Sequence, residues 1–350
     1  MKKEKQDIKK DINRKNKRWL IRLLGWMTGP LPEKLKPEGE ISSVMILAQE
    51  KLGDCILLTP TIRLLKTHKP DLDINLVCFS RVSASFFEQD PNISAVYRVK
   101  ENIRKYYRFG WNKQVDVLFN TKDHPSFNFM IQTLFIKARY KVGIYHDYHP
   151  NYFNFLFHVD FYSHIIEKNA LIARYLGISY SEKELKPYLP PAEIRPEIKE
   201  LAVSLSGQKV IGLNLSAGNP DREWTVENWK NLISLMGKEV IVFAVGDRMD
   251  DKKSLEAFSG LVIPSPDTKS IFEAGELISK LALLITPDTS QIHVASCFGI
   301  PVCGLFQAGN LHSGRFYPYG IPYRTVQSES YQVADIKPDA VWVAAKELLN

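Results

Sequence analysis

Short apolar runs alternate with longer amphipathic stretches between residue 41 and a proline-rich stretch at 177–207. Continuous apolar runs are typical of strands buried on both faces of a parallel sheet, and a 3.6-residue period is typical of helices. These patterns predict strands at 44–48, 74–79, 95–99, 115–119 and 141–144, and helices at 56–67, 126–138 and 163–176. This part of the chain therefore predicts a doubly wound α/β domain.

The same alternation resumes after the proline-rich stretch. It predicts strands at 210–215, 239–245, 281–286 and 301–306, and helices at 225–236, 250–258, 270–280, 289–298 and 337–349. The predicted fold class is therefore α/β, with two doubly wound, Rossmann-type parallel-sheet domains that face a cleft. We expect these domains at 41–185 and 186–350, with residues 1–40 as an N-terminal tail.

The net charge of +7 is confined to the tail. Residues 1–30 contain ten Lys and Arg residues and three acidic ones, while the whole chain contains 46 basic and 39 acidic residues. Residues 31–350 are therefore balanced in charge. Because a basic body is the electrostatic signature of nucleic-acid binding, this distribution argues against a nucleic-acid partner.

The tail also contains an amphipathic pattern. One helical face carries Trp19, Leu20, Leu23, Leu24 and Met27, and the flanking positions carry Lys15, Arg18 and Arg22. This pattern is typical of an interfacial helix, so we expect residues 1–30 to bind an anionic membrane surface. The alternative is a surface helix that packs on the protein's own body.

The remaining composition favours a cytoplasmic protein, held peripherally at a membrane surface by its tail. No run of 18 apolar residues predicts a membrane-spanning helix, and no small-residue cleavage site follows the tail. The four cysteines lie in apolar runs without metal-site spacing, which predicts buried free thiols: Cys55, Cys78, Cys297 and Cys303.

Candidate ligand-binding residues follow predicted strands, because ligands of open parallel sheets bind beyond the carboxyl ends of the strands. In the first domain, Gly53 permits a close backbone approach and Asp54 supplies a carboxylate. Both are also ordinary turn and helix-cap residues, which is the plainer interpretation of each by itself.

Two loops of the second domain have the chemistry of an anion site. One contains Ser216 and Arg222, and the other runs from Asp288 through Thr289 to a helix that contains His293. Hydroxyl groups, a cation and free backbone N–H groups at a helix start suit a phosphate, so the loops together predict a nucleoside diphosphate site. The chain has no P-loop and no G-x-G-x-x-G motif, which argues against a P-loop kinase and a standard NAD site.

Three segments, in their order and separation, resemble glycosyltransferase family 9, the bacterial lipopolysaccharide heptosyltransferases. KLGDCILLTP at 51–60 resembles the opening R-x-G-D-x-x-x-x-x-P segment of the family, and IGLN at 211–214 with REW at 222–224 resembles its G-x-N…K-x-W segment. DTSQIHVA and FGIPV, at 288–295 and 298–302, resemble D-T-G-x-x-H-x-A…x-G-x-P-V. RYKVG at 139–143 also fits. The chain departs from the family at Arg222, where Lys is common, and at Ser290, where Gly is usual.

The resemblance implies a GT-B-like architecture and an inverting transfer of heptose from ADP-heptose to a Kdo or heptose acceptor in the lipopolysaccharide inner core. It implies that the catalytic residues are Asp54, as the base for the acceptor hydroxyl, and Arg222, as the cation beside the departing ADP. The donor-binding residues would then be Gly53, Ser216, Arg222, Trp224, Gly246, Asp247, Asp288, Thr289, Ser290 and His293.

The acceptor-binding candidates follow from charge, and the expected metal independence follows from the absence of a carboxylate motif. Charge alone makes Lys51, Arg63, Lys122 and Arg139 the acceptor-binding candidates, and the plainer interpretation of each is a solvated surface residue. No Asp-x-Asp-type pair follows a predicted strand, so we expect no metal or other cofactor. Two alternatives stay open: a GT-B relative that uses or epimerises another nucleotide sugar, and an inactive donor-binding homologue, which Ser290 would motivate.

Overall fold

The computed structural model describes residues 17–99, 114–309 and 313–349. Contacts divide the chain between Leu185 and Lys186 into two compact units, called unit 1 and unit 2. Each unit is built around a parallel sheet. Of the tail, residues 1–16 lie outside the described residues, and with them most of its basic side chains.

The described part of unit 1 contains a six-stranded sheet in the order β3-β2-β1-β4-β5-β6. Its strands are β1 (Ser43–Ala48), β2 (Asp73–Cys78), β3 (Ala95–Arg98), β4 (Val115–Asn120), β5 (Ala138–Ile144) and β6 (Phe155–Phe157). Its helices are α1 (17–28), α2 (Leu52–Ile56), α3 (Thr59–His68), α4 (Arg81–Phe87), α5 (Phe127–Phe135) and α6 (Ile165–Tyr175). Strands β2 and β3 lie on one side of β1, and strands β4 to β6 lie on the other. The strand order therefore reverses between β1 and β4, and open parallel sheets bind ligands at this reversal point.

Unit 2 repeats this arrangement, with the strand order β12-β11-β10-β7-β8-β9. Its strands are β7 (Ile211–Asn214), β8 (Val240–Phe243), β9 (Val262–Ile263), β10 (Leu283–Pro287), β11 (Val302–Phe306) and β12 (Tyr323–Gln327). Its helices are α7 (Pro196–Leu205), α8 (Val226–Met236), α9 (Met249–Phe258), α10 (Ile271–Ile278), α11 (Ser290–Phe298) and α12 (Pro338–Lys346). The reversal point of this sheet lies between β7 and β10.

The predicted fold class, two α/β units with doubly wound parallel sheets, is confirmed. Elements α4, β6, β9 and β12 were not predicted from the sequence, and α7 lies within the stretch 177–207, which the proline pattern predicts as a connection. The second half of that stretch is helical because Pro196 occupies the first turn, where its missing N–H costs no hydrogen bond. The four predicted thiols are buried and free, as expected.

The helix predicted at 56–67 is two helices. The helical hydrogen-bond pattern is interrupted at Leu57 and Leu58, which keep right-handed helical dihedrals, because Pro60 lies in the first turn of the next helix and cannot donate a backbone hydrogen bond. The preceding helix, α2, starts earlier than predicted, at Leu52. Asp54 therefore lies inside the first turn of α2 rather than in a loop.

One side of helix α1 packs against the rest of unit 1. Ile21 is 1% exposed and joins a hydrophobic cluster with Met130, Tyr152 and Phe153. Gly25 permits this approach, because a Cβ at that position would lie 2.8 Å from the Tyr152 ring. The buried side differs from the predicted apolar face, since the sequence analysis did not include Ile21.

The opposite side of α1 is apolar and exposed. Trp19, Trp26 and Met27 are 61%, 76% and 69% exposed. The guanidinium of Arg22 lies 4.6 Å from the centre of the Tyr148 ring, which fixes one flank of the helix. Helix α1 therefore packs on the protein by one side and presents apolar side chains to solvent on the other. In the described part of the chain, no helix has the length and hydropathy to cross a membrane.

Candidate active site

The two central strands of unit 2 are linked at their carboxyl ends by Asn214. Its side-chain amide donates to the hydroxyl of Thr286 at 2.9 Å and to the hydroxyl of Thr289 at 3.1 Å. It also donates to the carbonyl of Ser216, at 3.1 Å. One amide at the end of β7 thus joins both ligand-type loops that the sequence predicts.

Thr289 begins helix α11 at this point. It is the N-cap, and its hydroxyl accepts a hydrogen bond from the backbone of Gln291. Ser290 is the first helical residue, and no non-glycine residue of the described chain has a positive φ. The serine that replaces the family's usual glycine is therefore unstrained. His293 lies one turn further along α11 and is 5% exposed.

Arg222 and Asp288 form an ion pair between the same two loops, with an Nη1–Oδ2 distance of 3.0 Å. Both side chains are partly exposed, at 37% and 22%. The Arg222 guanidinium also donates to the side chain of Gln307, which directly follows β11, at 3.4 Å. The cation is thus held beside the N-terminus of α11, where the helix dipole adds positive potential.

A third loop, after β8, joins this group. The hydroxyl of Ser216 accepts a hydrogen bond from the backbone of Val245 at 2.8 Å. Gly246 follows with a φ of 63°, a conformation that glycine adopts without strain, and Asp247 is exposed. Three strand ends therefore place Ser216, Asp247 and the start of α11 at one edge of the sheet.

Trp224 has a different position from the other donor-site candidates. Its side chain is fully buried in the core, packs edge to face on Trp229 at 4.7 Å, and donates its indole N–H to the carbonyl of Ile336 at 2.9 Å. Its role in the structure is to fix the loop that carries Arg222.

In unit 1, Asp54 lies at the reversal point between β1 and β4. It occupies the first turn of α2, and its side chain is partly buried. Burial raises the pKa of this carboxyl, while Lys122, Lys51, His124 and the backbone of Lys51 oppose the rise. The raised pKa brings the group closer to the range in which a carboxylate works as a general base.

Lys122 is the buried cation of this group. It follows β4, is 9% exposed, and donates to the side chain of Gln49 at 2.9 Å. Burial lowers the pKa of its ammonium, and Asp54, Glu50 and Asp123 raise it again. The segments after β1 and β4 therefore bring the Asp54 carboxylate and the Lys122 ammonium close enough for each to shift the pKa of the other.

The four acceptor-binding candidates fall into different places. Lys51 and Lys122 lie close enough to Asp54 to shift its pKa. Arg63 lies in the second turn of α3, with a partly buried side chain. Arg139 pairs with Asp116 at 2.9 Å, near the amino ends of β4 and β5 and thus at the opposite edge of the sheet from Asp54.

Three polar residues of these groups received no role from the sequence: Asn214, which appears there only as the last residue of the G-x-N segment, Gln307 and His124. For Asn214 the available signal was an amide as the last residue of a buried strand, and Gln307 follows a strand directly. Among the described residues, no group of three or more His, Cys, Asp or Glu side chains has the arrangement of a metal site.

Two doubly wound parallel-sheet units, with anion-type loops at the reversal point of unit 2, are the features of a GT-B-like fold. The profile of glycosyltransferase family 9 (heptosyltransferase) matches residues 112–340. The chain belongs to this family.

Individual relatives agree with this assignment. The chain is 20% identical over 282 residues to the lipopolysaccharide core heptosyltransferase OpsX of Haemophilus influenzae. The aligned region covers 77% of this chain and 80% of that protein. Among solved structures, a family 9 glycosyltransferase from Veillonella parvula superposes with a TM-score of 0.69 and 18% identity, covering 90% of this chain and 99% of that one. The E. coli heptosyltransferase WaaC with ADP gives a TM-score of 0.65 and 14% identity, covering 87% and 97%.

Proposed function

We propose that this protein transfers a heptose from ADP-heptose to the inner core of lipopolysaccharide, onto a Kdo or heptose acceptor, with inversion at the anomeric carbon. The observation that carries the proposal is the convergence of Arg222, Asp288 and the start of α11 at the reversal point of unit 2. The similarity to OpsX and the structural likeness to WaaC support the choice of substrates.

In the proposed reaction, Asp54 accepts the proton of an acceptor hydroxyl as its oxygen bonds to the anomeric carbon. The bond from that carbon to the diphosphate oxygen breaks, and ADP leaves with its electron pair. Arg222 and the N-terminus of α11 stabilise the negative charge that develops on the diphosphate. We infer that these groups take the place of a metal ion, so that the reaction needs no metal or other cofactor.

The remaining donor contacts are assigned by position. Ser216, Thr289 and Ser290 offer hydroxyl groups near the diphosphate, and Gly246 and Asp247 lie on the loop after β8, where we place the nucleoside. Asp288 and His293 orient the donor sugar or its diphosphate. Lys51 and Lys122 meet the anionic acceptor beside Asp54.

We also propose that the tail binds the anionic surface of the inner membrane, on its cytoplasmic face. The exposed side of α1 carries Trp19, Trp26 and Met27, and Arg18 and Arg22 flank it. Aromatic residues beside cations suit the headgroup region of a membrane that contains anionic lipids.

The deciding experiment incubates the protein with ADP-heptose and heptose-deficient lipopolysaccharide and analyses the products by mass spectrometry. We expect the acceptor to gain one heptosyl unit, with or without excess EDTA. Parallel reactions with other ADP- and UDP-sugars test for another donor or for epimerisation. A reaction that occurs with a different sugar and not with ADP-heptose contradicts the proposed donor, and loss of activity in EDTA contradicts metal independence.

A further inference from the structure

Helix α6 contains a lysine that is almost inaccessible to solvent. Lys168 is 2% exposed, and its ammonium lies 2.7 Å from the carboxylate of Asp123. It also donates to the carbonyl of Phe161 at 2.6 Å. Because a buried charge is costly unless it is paired and hydrogen-bonded, this interaction fixes Asp123 firmly to the helix. Asp123 directly follows Lys122 in the loop after β4.

The next residue of the same helix makes a second attachment. The side-chain amide of Asn169, also 2% exposed, donates to the backbone carbonyl of Leu57 at 3.1 Å. Leu57 is the C-cap of α2, the helix that contains Asp54. Two consecutive residues of α6 therefore hold the loop that carries Lys122 and the helix that carries Asp54.

The charge state of Asp54 depends on the groups held in this way. The charged side chains that interact electrostatically with Asp54 are Lys122, Lys51 and His124. Lys122 also interacts electrostatically with Glu50 and Asp123. Electrostatic interactions at a partly buried site fall steeply with separation, because solvent enters as the groups part. A displacement of α2 or of the loop after β4 would therefore weaken the influence of Lys122 on Asp54.

We propose that Lys168 and Asn169 are positioning residues for the general base: Lys168, acting through Asp123, and Asn169, acting through Leu57, keep Lys122 beside Asp54 so that the carboxylate stays ionised during transfer. This inference rests on the proposed function, because it takes Asp54 as the base. Lys168 and Asn169 are buried, so they act through these partners and not on the substrates.

The test is the pH dependence of kcat for heptosyl transfer by the full chain. Lys168→Met should shift the acidic limb upward by about one pH unit, because Asp54 loses part of its stabilisation by Lys122. The KM for ADP-heptose should not change. Asn169→Ala should shift the limb in the same direction, and Lys168→Arg, which keeps the charge, should restore most of the wild-type profile.

A double-mutant comparison separates this coupling from general loosening. In a Lys122→Met background, Lys168→Met should produce no additional shift, because the group through which it acts is absent. The matched control is Lys141→Met, which removes another partly buried lysine of unit 1. Lys141 donates to the carbonyl of Leu134 near the end of α5 and should leave the limb in place.

If Lys168→Met does not fold, Lys168→Met combined with Asp123→Asn removes the buried pair as a whole and should give the same shift. An unchanged acidic limb in a folded variant overturns the inference, as does an equal shift in Lys141→Met. Absence of heptosyl transfer by the wild-type chain contradicts the proposed function instead. Comparing the wild type with the variants therefore distinguishes the two failures.

Discussion

The guanidinium of Arg222 and the carboxylate of Asp288 form an ion pair, with an Nη1–Oδ2 distance of 3.0 Å, between the loops that follow β7 and β10. Both side chains keep one-fifth or more of their surface exposed, so a ligand can reach them. A diphosphate at the start of α11 would accept hydrogen bonds from the same guanidinium. Asp288 would then hold Arg222 in the orientation that the diphosphate needs.

The first prediction concerns this pair. Arg222→Ala should lower kcat/KM for the donor by about 10²-fold, because it removes positive charge beside the leaving diphosphate. Arg222→Lys, the residue common in the family, should retain much more activity. Steady-state kinetics with ADP-heptose varied measures both effects. Arg324→Ala is the control, since Arg324 forms an exposed ion pair with Glu347. An equal loss of kcat/KM in Arg324→Ala, or no loss in Arg222→Ala, contradicts the role of Arg222 beside the diphosphate.

The second prediction concerns the proposed base. Asp54→Asn should lower kcat by about 10²-fold or more, because the amide cannot accept the acceptor proton. Binding of ADP should be almost unchanged, which calorimetry with ADP can measure. Near wild-type turnover would reduce Asp54 to a residue that stabilises the first turn of α2.

Much of this site can be predicted locally, because parallel strands bury continuous apolar runs and ligand loops follow them. The segments that carry Asp54, Ser216 and Asp288 were predicted in this way. What local sequence does not contain is the long-range packing that sorts similar residues into different roles. Trp224 is near Arg222 in the chain, yet its indole N–H pairs with Ile336, 112 residues away.

The acceptor-binding candidates, which were chosen by charge, also depend on long-range packing that local sequence does not contain. Lys122 and Arg139 are equivalent by charge, but β4 and β5 carry them to opposite edges of the sheet of unit 1. Short elements were missed for another reason. Strand β6 has three partly buried residues, too few for a periodic signal, whereas the N-cap Ser80 was an available signal for α4.

The third prediction concerns acid stability. Burial favours a higher pKa for Asp116, but hydrogen bonds from Arg139, Ser42 and Ser43 outweigh it and lower the pKa to about 2. A carboxyl with a lowered pKa stabilises the fold fully above its unfolded pKa near 3.8, and this contribution disappears as the pH falls towards 2. Asp116→Ala should therefore reduce the free energy of unfolding at pH 7 by about 1–2 kcal/mol, after allowance for solvent screening.

Urea denaturation at pH 7, 5 and 3 can test this prediction for Asp116. The difference between the wild type and Asp116→Ala should be constant from pH 7 to 5 and smaller at pH 3. Asp250→Ala is the control, because the Asp250 side chain is 92% exposed and should contribute little at any pH. A difference that does not change with pH would show that the variant loses packing rather than a charge interaction.

The last prediction separates the two roles of the tail. Deleting residues 1–30 would remove Ile21 from the core, so the informative variants are a deletion of 1–16 and Trp19→Ser with Trp26→Ser. The deletion of 1–16 should weaken binding to anionic liposomes because it removes positive charge, and the double Trp variant should weaken it because it removes apolar burial. Added salt should weaken only the contribution of charge. Val203→Ser, which also removes an exposed apolar side chain, is the control for nonspecific adsorption. Unchanged liposome binding by both tail variants would assign α1 to packing on unit 1 alone.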